Sequence, residues 1–160
     1  MESRIQIISF KEILRMERGV YTLVLRLDDD LEACVGSLGR VSFRQGYYSY
    51  TGSALGKGGL KRVQRHLQIM EGKKATRRWH IDWLLPLTRL EEAILTFTTE
   101  RLECRIAGRI GARLEPIPGF GCTDCRCASH LHFSFNREEM LDAVRDAHRA
   151  YGELNYSAVL

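Results

Sequence analysis

Gly19-Val20-Tyr21-Thr22-Leu23-Val24-Leu25-Arg26-Leu27 is the stretch on which the fold turns. β-Branched and aromatic residues dominate it, and such side chains suit a pleated, packed surface, so it reads as a strand. Asp28-Asp29-Asp30 reads as a turn, and residues 31–37 as a second, antiparallel strand. Gly46-Tyr47-Tyr48-Ser49-Tyr50-Thr51 alternates and reads as a third strand. Glycines at 52, 56, 58 and 59 then form a loop that feeds a helix from about 59 to 70. Leu60, Val63 and Leu67 give that helix an apolar stripe, with Lys61, Arg62, Arg65 and His66 elsewhere on it.

Farther along, 79–87 reads as a short helix or turn with Trp79, Trp83 and Leu84 on one face. Residues 93–98 read as a strand and 100–114 as a helix, with Leu102, Ile106, Ile110 and Leu114 spaced four apart. A Gly/Cys loop over 117–129 leads into a strand over 130–135. An amphipathic helix over 137–151 follows, with Leu141, Val144 and His148 or Tyr151 on one side. Strands first, then helices and strands mixed, predict an α+β fold.

The chain has 160 residues, a length that argues for a single domain over 1–160, with 136–160 as a helical extension. A chain of this size buries about 70% of its unfolded surface, enough for a true core. At 44% hydrophobic it cannot be wholly disordered. No stretch approaches the roughly 20 apolar residues of a membrane helix, so no membrane is expected as a partner. The N-terminus, acidic at Glu2 and without a long apolar run, does not read as a signal peptide. Five cysteines without an export signal predict reduced thiols and a cytoplasmic location.

Net charge is +4, and the excess is local. Between 57 and 78 stand eight Lys/Arg (57, 61, 62, 65, 73, 74, 77 and 78) against one acid, Glu71. A local basic surface is the footprint of phosphate binding, although a solvated helix face would look the same. Arg62 and His66 are spaced i, i+4 and leave one helix face together. A guanidinium there can grip a phosphate through two hydrogen bonds. Tyr21 and Tyr50 come from strands expected side by side. Tyrosines on strands are usually packing residues with a wet tip, and they serve as acid or base once their surroundings move the pKa.

The ordered set Gly19-Val20-Tyr21, Tyr50-Thr51-Gly52-Ser53-Ala54, Arg62, His66 and Glu103 resembles the GIY-YIG nuclease superfamily. Trp79-His80-Ile81-Asp82-Trp83-Leu84-Leu85, Glu103-Cys104 and the run from Gly119 to Leu131 sharpen this to the branch called DUF123, sometimes fused to endonuclease III. The resemblance covers about 17–135. It implies a small central, mostly antiparallel sheet flanked by helices, and hydrolysis of a DNA phosphodiester with Mg²⁺ or Mn²⁺. In that reading Tyr21, helped by Tyr50, activates water and Arg62 holds the scissile phosphate. His66 assists with proton transfer or phosphate contact, and Glu103 is the single carboxylate ligand of the metal. Gly52 permits close approach, while Ser53, Lys61, Arg65 and His80 face the substrate. Nucleic acid, chiefly DNA, and a DNA-repair protein are the implied partners. One carboxylate is chemically sufficient, because Mg²⁺ keeps most of its waters. The 28 residues between Tyr21 and Tyr50 (22–49) form a longer link than is typical and read as an added strand. Thr51 replaces an aliphatic residue, and the asparagine usual after the glutamate has no match, Asn136 lying too far on.

Cys122-x-x-Cys125-x-Cys127-x-x-His130-x-His132 is a further constellation. With Cys104 it offers Zn²⁺ four N/S ligands: Cys104, Cys125, Cys127 and His130. The alternative is a polar cluster of Asp124, Ser129 and His130 beside cysteines buried as small apolar groups. Two further functions compete with catalysis: a non-catalytic nucleic-acid-binding module of the same fold, and a zinc-stapled structural or adaptor domain.

Overall fold

The computed structural model describes residues 6–8, 18–123, 125–152 and 155–158. Its strands are β1 (Gln6–Ile8), β2 (Gly19–Leu27), β3 (Leu31–Cys34), β4 (Arg40–Phe43), β5 (Gly46–Ala54), β6 (Arg89–Phe97), β7 (Glu115–Pro116), β8 (Leu131–Ser134) and β9 (Asn155–Ala158). Its helices are α1 (Lys61–Met70), α2 (His80–Leu84), α3 (Glu103–Gly111) and α4 (Arg137–Arg149). The main sheet runs β1-β9-β6-β2-β5-β8-β7, and a separate ribbon pairs β3 with β4. Every pairing is antiparallel except that of β1 with β9. The fold is α+β, as the order of elements predicts. No helix among the described residues is long and apolar enough to cross a membrane.

β2 is buried at every position but Arg26, because it is central and covered on both faces. Tyr21, Leu23, Leu25 and Leu27 pack with Leu60, Val63 and Ile69 of the α1 segment and Ile81 and Leu84 of α2. Val20 and Val24 face the other way, against Ile106 and Ile110 of α3 and Met140, Leu141 and Val144 of α4. Period-two alternation therefore builds two cores, one on each face. Residue 22 is a threonine within the second face. Its hydroxyl bonds Thr51 at 2.9 Å and the His148 ring at 2.7 Å, and Thr96 bonds the other ring nitrogen at 2.8 Å. The departure at Thr51 is thus part of a buried polar chain that His148, fully enclosed, completes.

Several expectations are corrected. The 31–37 strand stops at Cys34 and pairs not with β2 but with β4, which the sequence reading missed. Leu84 does not share a face with Trp79 and Trp83: it is buried in the core, whereas both tryptophans line one cavity. Residues 136–160 are not a helical extension. Among the described residues of that range Arg137–Arg149 alone is helix, packed in the second core, and Asn155–Ala158 joins the sheet beside β6. Asn136 is the N-cap of α4, its side chain accepting from Glu139 N at 3.0 Å, which accounts for its place in the chain.

Candidate active site

The cavity that gathers the chemistry has a volume of about 440 Å³. Strand register sets its floor. Tyr21 lies opposite Gly52, and Leu23 opposite Tyr50, so both tyrosines share one sheet face on a diagonal, with ring centroids 6.5 Å apart. A Cβ at residue 52 would overlap the Tyr21 phenol, so Gly52 is where that ring passes the neighbouring strand. The backbone approach expected at Gly52 is realised as an approach by the protein's own tyrosine.

α1 crosses above this floor. His66 Nε2 lies 2.6 Å from the Tyr21 hydroxyl, and Nδ1 is buried without a hydrogen-bond partner among the described residues. Burial pushes the His66 pKa down to about 3, so the ring is neutral. Burial likewise raises the Tyr21 phenol well above its ordinary value, with the Tyr50 ring adding to it and the Arg62 guanidinium opposing it. One turn earlier, Arg62 donates to Ser53 O at 2.6 Å and lies 4.7 Å from the centre of the Trp79 ring. These contacts hold the guanidinium at the cavity wall, beside Arg77 and Arg78.

Glu103 opens α3. That helix packs on the sheet face opposite to Tyr21, yet its first residue reaches the cavity wall together with Tyr21, Tyr50 and Arg62. Among the described residues it is the one carboxylate there. Asp82 is near but fully buried, accepting two bonds from Arg65 at 2.8 and 3.0 Å and the backbone N–H groups of Arg78 and Trp79 at 2.7 and 3.0 Å. Those donors hold its carboxyl below the ordinary range despite burial. The fit to a divalent ion is therefore one carboxylate in a polar, cation-walled space, with room for waters.

The other expected residues divide. Ser53 and His80 line the cavity. His80 accepts from Gly121 N at 2.9 Å on Nδ1 and meets Ser37 Oγ at 3.0 Å on Nε2. An imidazole that accepts a backbone N–H is neutral, so His80 brings no charge. Arg65 is turned to Asp82 and stacks on Trp79 at 4.1 Å instead of lining the cavity. Lys61 lines an adjoining groove with Lys57, Arg62 and Arg65. Sequence reasoning missed Arg77, Arg78, Trp79 and Trp83 as lining residues. The signal was available, since the basic run ends on the dipeptide Arg77-Arg78 directly before Trp79.

Cys104, Cys125, Cys127 and His130 converge, their ligand atoms all within 4.8 Å of one another. Asp124 of the alternative polar cluster lies outside the described residues. Ser129 is bonded to Leu131 O and N at 2.8 and 2.9 Å and does not join His130.

Fold and site together define an α+β protein with an arginine-walled cavity around a single acid. Residues 20–153 match the family described as Domain of unknown function DUF123, and the chain belongs to that family; the match runs through α4. No curated protein matches the chain, and no solved structure does.

Proposed function

We propose that the protein is a divalent-metal-dependent phosphodiesterase of the GIY-YIG type acting on nucleic acid, chiefly DNA. One observation carries this reading: Tyr21, Tyr50, Arg62 and Glu103, distant in sequence, line one cavity walled by further arginines. Such a wall suits a polyanion, and one carboxylate among guanidiniums suits a cation that arrives with the phosphate.

Mg²⁺ or Mn²⁺ held by Glu103 would supply Lewis-acid neutralisation of charge on the phosphoryl oxygens. Arg62, fixed by Ser53 O and Trp79, uses its remaining N–H groups on the non-bridging oxygens. Tyr21 is protonated at neutral pH, so it works as a relay. Its oxygen takes a proton from the attacking water while its own proton crosses the 2.6 Å bond to His66 Nε2. The relay needs the His66 tautomer protonated on Nδ1, and because burial disfavours the imidazolium, the proton crosses only as negative charge develops on the phosphate.

The test is cleavage of branched, nicked and single-stranded DNA with Mg²⁺ or Mn²⁺. Glu103→Gln and Arg62→Ala are each expected to lower turnover by at least about 10²-fold, the usual loss when one electrostatic group is removed. No cleavage of any substrate by folded protein, or cleavage by both variants equal to the parent's, overturns the reading. The second reading, a non-catalytic binding module, is favoured by one observation: Tyr21 is only 1% exposed. It expects salt-sensitive binding that survives Glu103→Gln, and metal-dependent turnover would eliminate it.

A further inference from the structure

We propose that Cys104, Cys125, Cys127 and His130 bind one zinc ion in a closed tetrahedral site that clamps the 121–130 loop to the first turn of α3. The donors come from three places: the helix start, the cysteine loop and the residue preceding β8. His130 Nε2 lies 3.7 Å from Cys104 Sγ and 3.5 Å from Cys125 Sγ. Zinc bonds of about 2.3 Å to sulfur and about 2.0 Å to nitrogen, at tetrahedral angles, separate S and N by about 3.5 Å. These two separations are those of ligands around one ion, and the remaining donor atoms lie within 4.8 Å of one another.

The valence of the group points the same way. A neutral imidazole nitrogen has one lone pair, so it cannot accept from two thiols at once. A disulfide would use two of the three sulfurs and strand the third beside the ring. A single cation satisfies all four donors. A two-iron cluster would need its ligand pairs farther apart than this compact group, in which every separation is within 4.8 Å. Four protein ligands leave no open position, so the ion is structural and not the seat of hydrolysis.

The clamp bears on the cavity at two points, because Cys125 and His130 line it and Glu103 directly precedes Cys104. Only this bearing on Glu103 rests on the phosphodiesterase reading. The metal site stands without it, and its test reads metal, not cleavage.

The full chain is purified without chelator and its metals are measured by plasma mass spectrometry. One zinc per chain is expected, and cobalt in its place should give the intense visible spectrum of a tetrahedral thiolate site. Cys125→Ser should lose the metal, while Cys122→Ser and Cys34→Ser, outside the group, keep it. Protein that neither retains zinc nor takes it up overturns the proposal, as does iron with acid-labile sulfide. Equal loss from Cys122→Ser and Cys125→Ser overturns the ligand set. Should Cys125→Ser fail to fold, the wild-type stoichiometry and cobalt spectrum decide alone. Chelation should also speed amide exchange over 121–130 and the first turn of α3 while β2 and β5 stay protected; zinc loss without that local change overturns the clamp.

Discussion

Gly52 shows how one missing Cβ can build a site. The Tyr21 ring occupies the space that a side chain at 52 would fill, and from there the phenol bonds His66. Gly52→Ala therefore either displaces Tyr21 or strains the strand pair. We expect a loss of about 1–3 kcal/mol, the usual range for overpacking a filled core, read by urea unfolding. Stability equal to the parent's would mean that the phenol is not packed against residue 52. The glycine was legible in the sequence, but its reason was not. The pattern Tyr-Thr-Gly suggests an open approach for substrate, and only strand register reveals that the approaching group is Tyr21. Arg65 carries the complementary lesson. It stands one helical turn from Lys61 and reads as a phosphate contact, yet the structure commits it to Asp82, a fully buried carboxylate.

At the scale of elements, the long link between Tyr21 and Tyr50 becomes the β3–β4 ribbon, joined by a 3₁₀ turn over Gly36–Leu38. That turn supplies Ser37 to the Nε2 side of His80, and the Nδ1 side takes the N–H of Gly121. His80 thus ties the ribbon to the cysteine loop across the cavity rim. His80→Leu would leave the Gly121 N–H without its acceptor, costing about 1–3 kcal/mol, and would loosen the loop. Thermal unfolding together with amide exchange at 119–123 checks it, and unchanged exchange there would contradict the tie. The strand at 19–27 was legible to the residue, because a central strand has apolar side chains on both faces and few alternatives. The ribbon strand at 40–43 was not, since Arg40-Val41-Ser42-Phe43 carries only two apolar residues and is half-exposed. β7 is too short to leave a periodic signal.

For the molecule as a whole, charge and burial make separate predictions. Lys57, Lys61, Arg62, Arg77 and Arg78 line one continuous region of cavity and groove. Nucleic-acid affinity should fall steeply with salt, and Arg77→Ala should reduce the slope of log K against log salt by about 0.9 on duplex DNA, one phosphate contact's worth. Titration by fluorescence anisotropy at several salt concentrations measures it; an unchanged slope removes Arg77 from the interface. Stability should also fall in acid. His66 and His148 are buried and neutral, both held at about 3 against 6.5 for an ordinary histidine. The unfolded chain therefore binds more protons than the native one between these values, and stability drains as pH falls below 6.5. Each ring contributes about 1.4 kcal/mol per pH unit over that window. Melting temperatures from pH 7.5 down to 4.5 should decline, and His148→Gln should flatten the decline. A melting temperature independent of pH over that range would count against both assignments.

The sequence by itself determined the α+β class, the central strand, the existence of helices read at about 59–70, 100–114 and 137–151, and the order of phenol, guanidinium and acid along the chain. These are local properties, since hydrophobic period and turn chemistry act within a few residues. Only the tertiary structure decided which basic groups line the cavity, which are spent on Asp82, and that Glu103 reaches the cavity from a helix on the other sheet face. It also decided that Cys104, offered with Cys125, Cys127 and His130 by the sequence as one of two readings, does meet them across twenty or more intervening residues. Such meetings depend on strand register and on competition for buried hydrogen-bond partners, which no local pattern encodes.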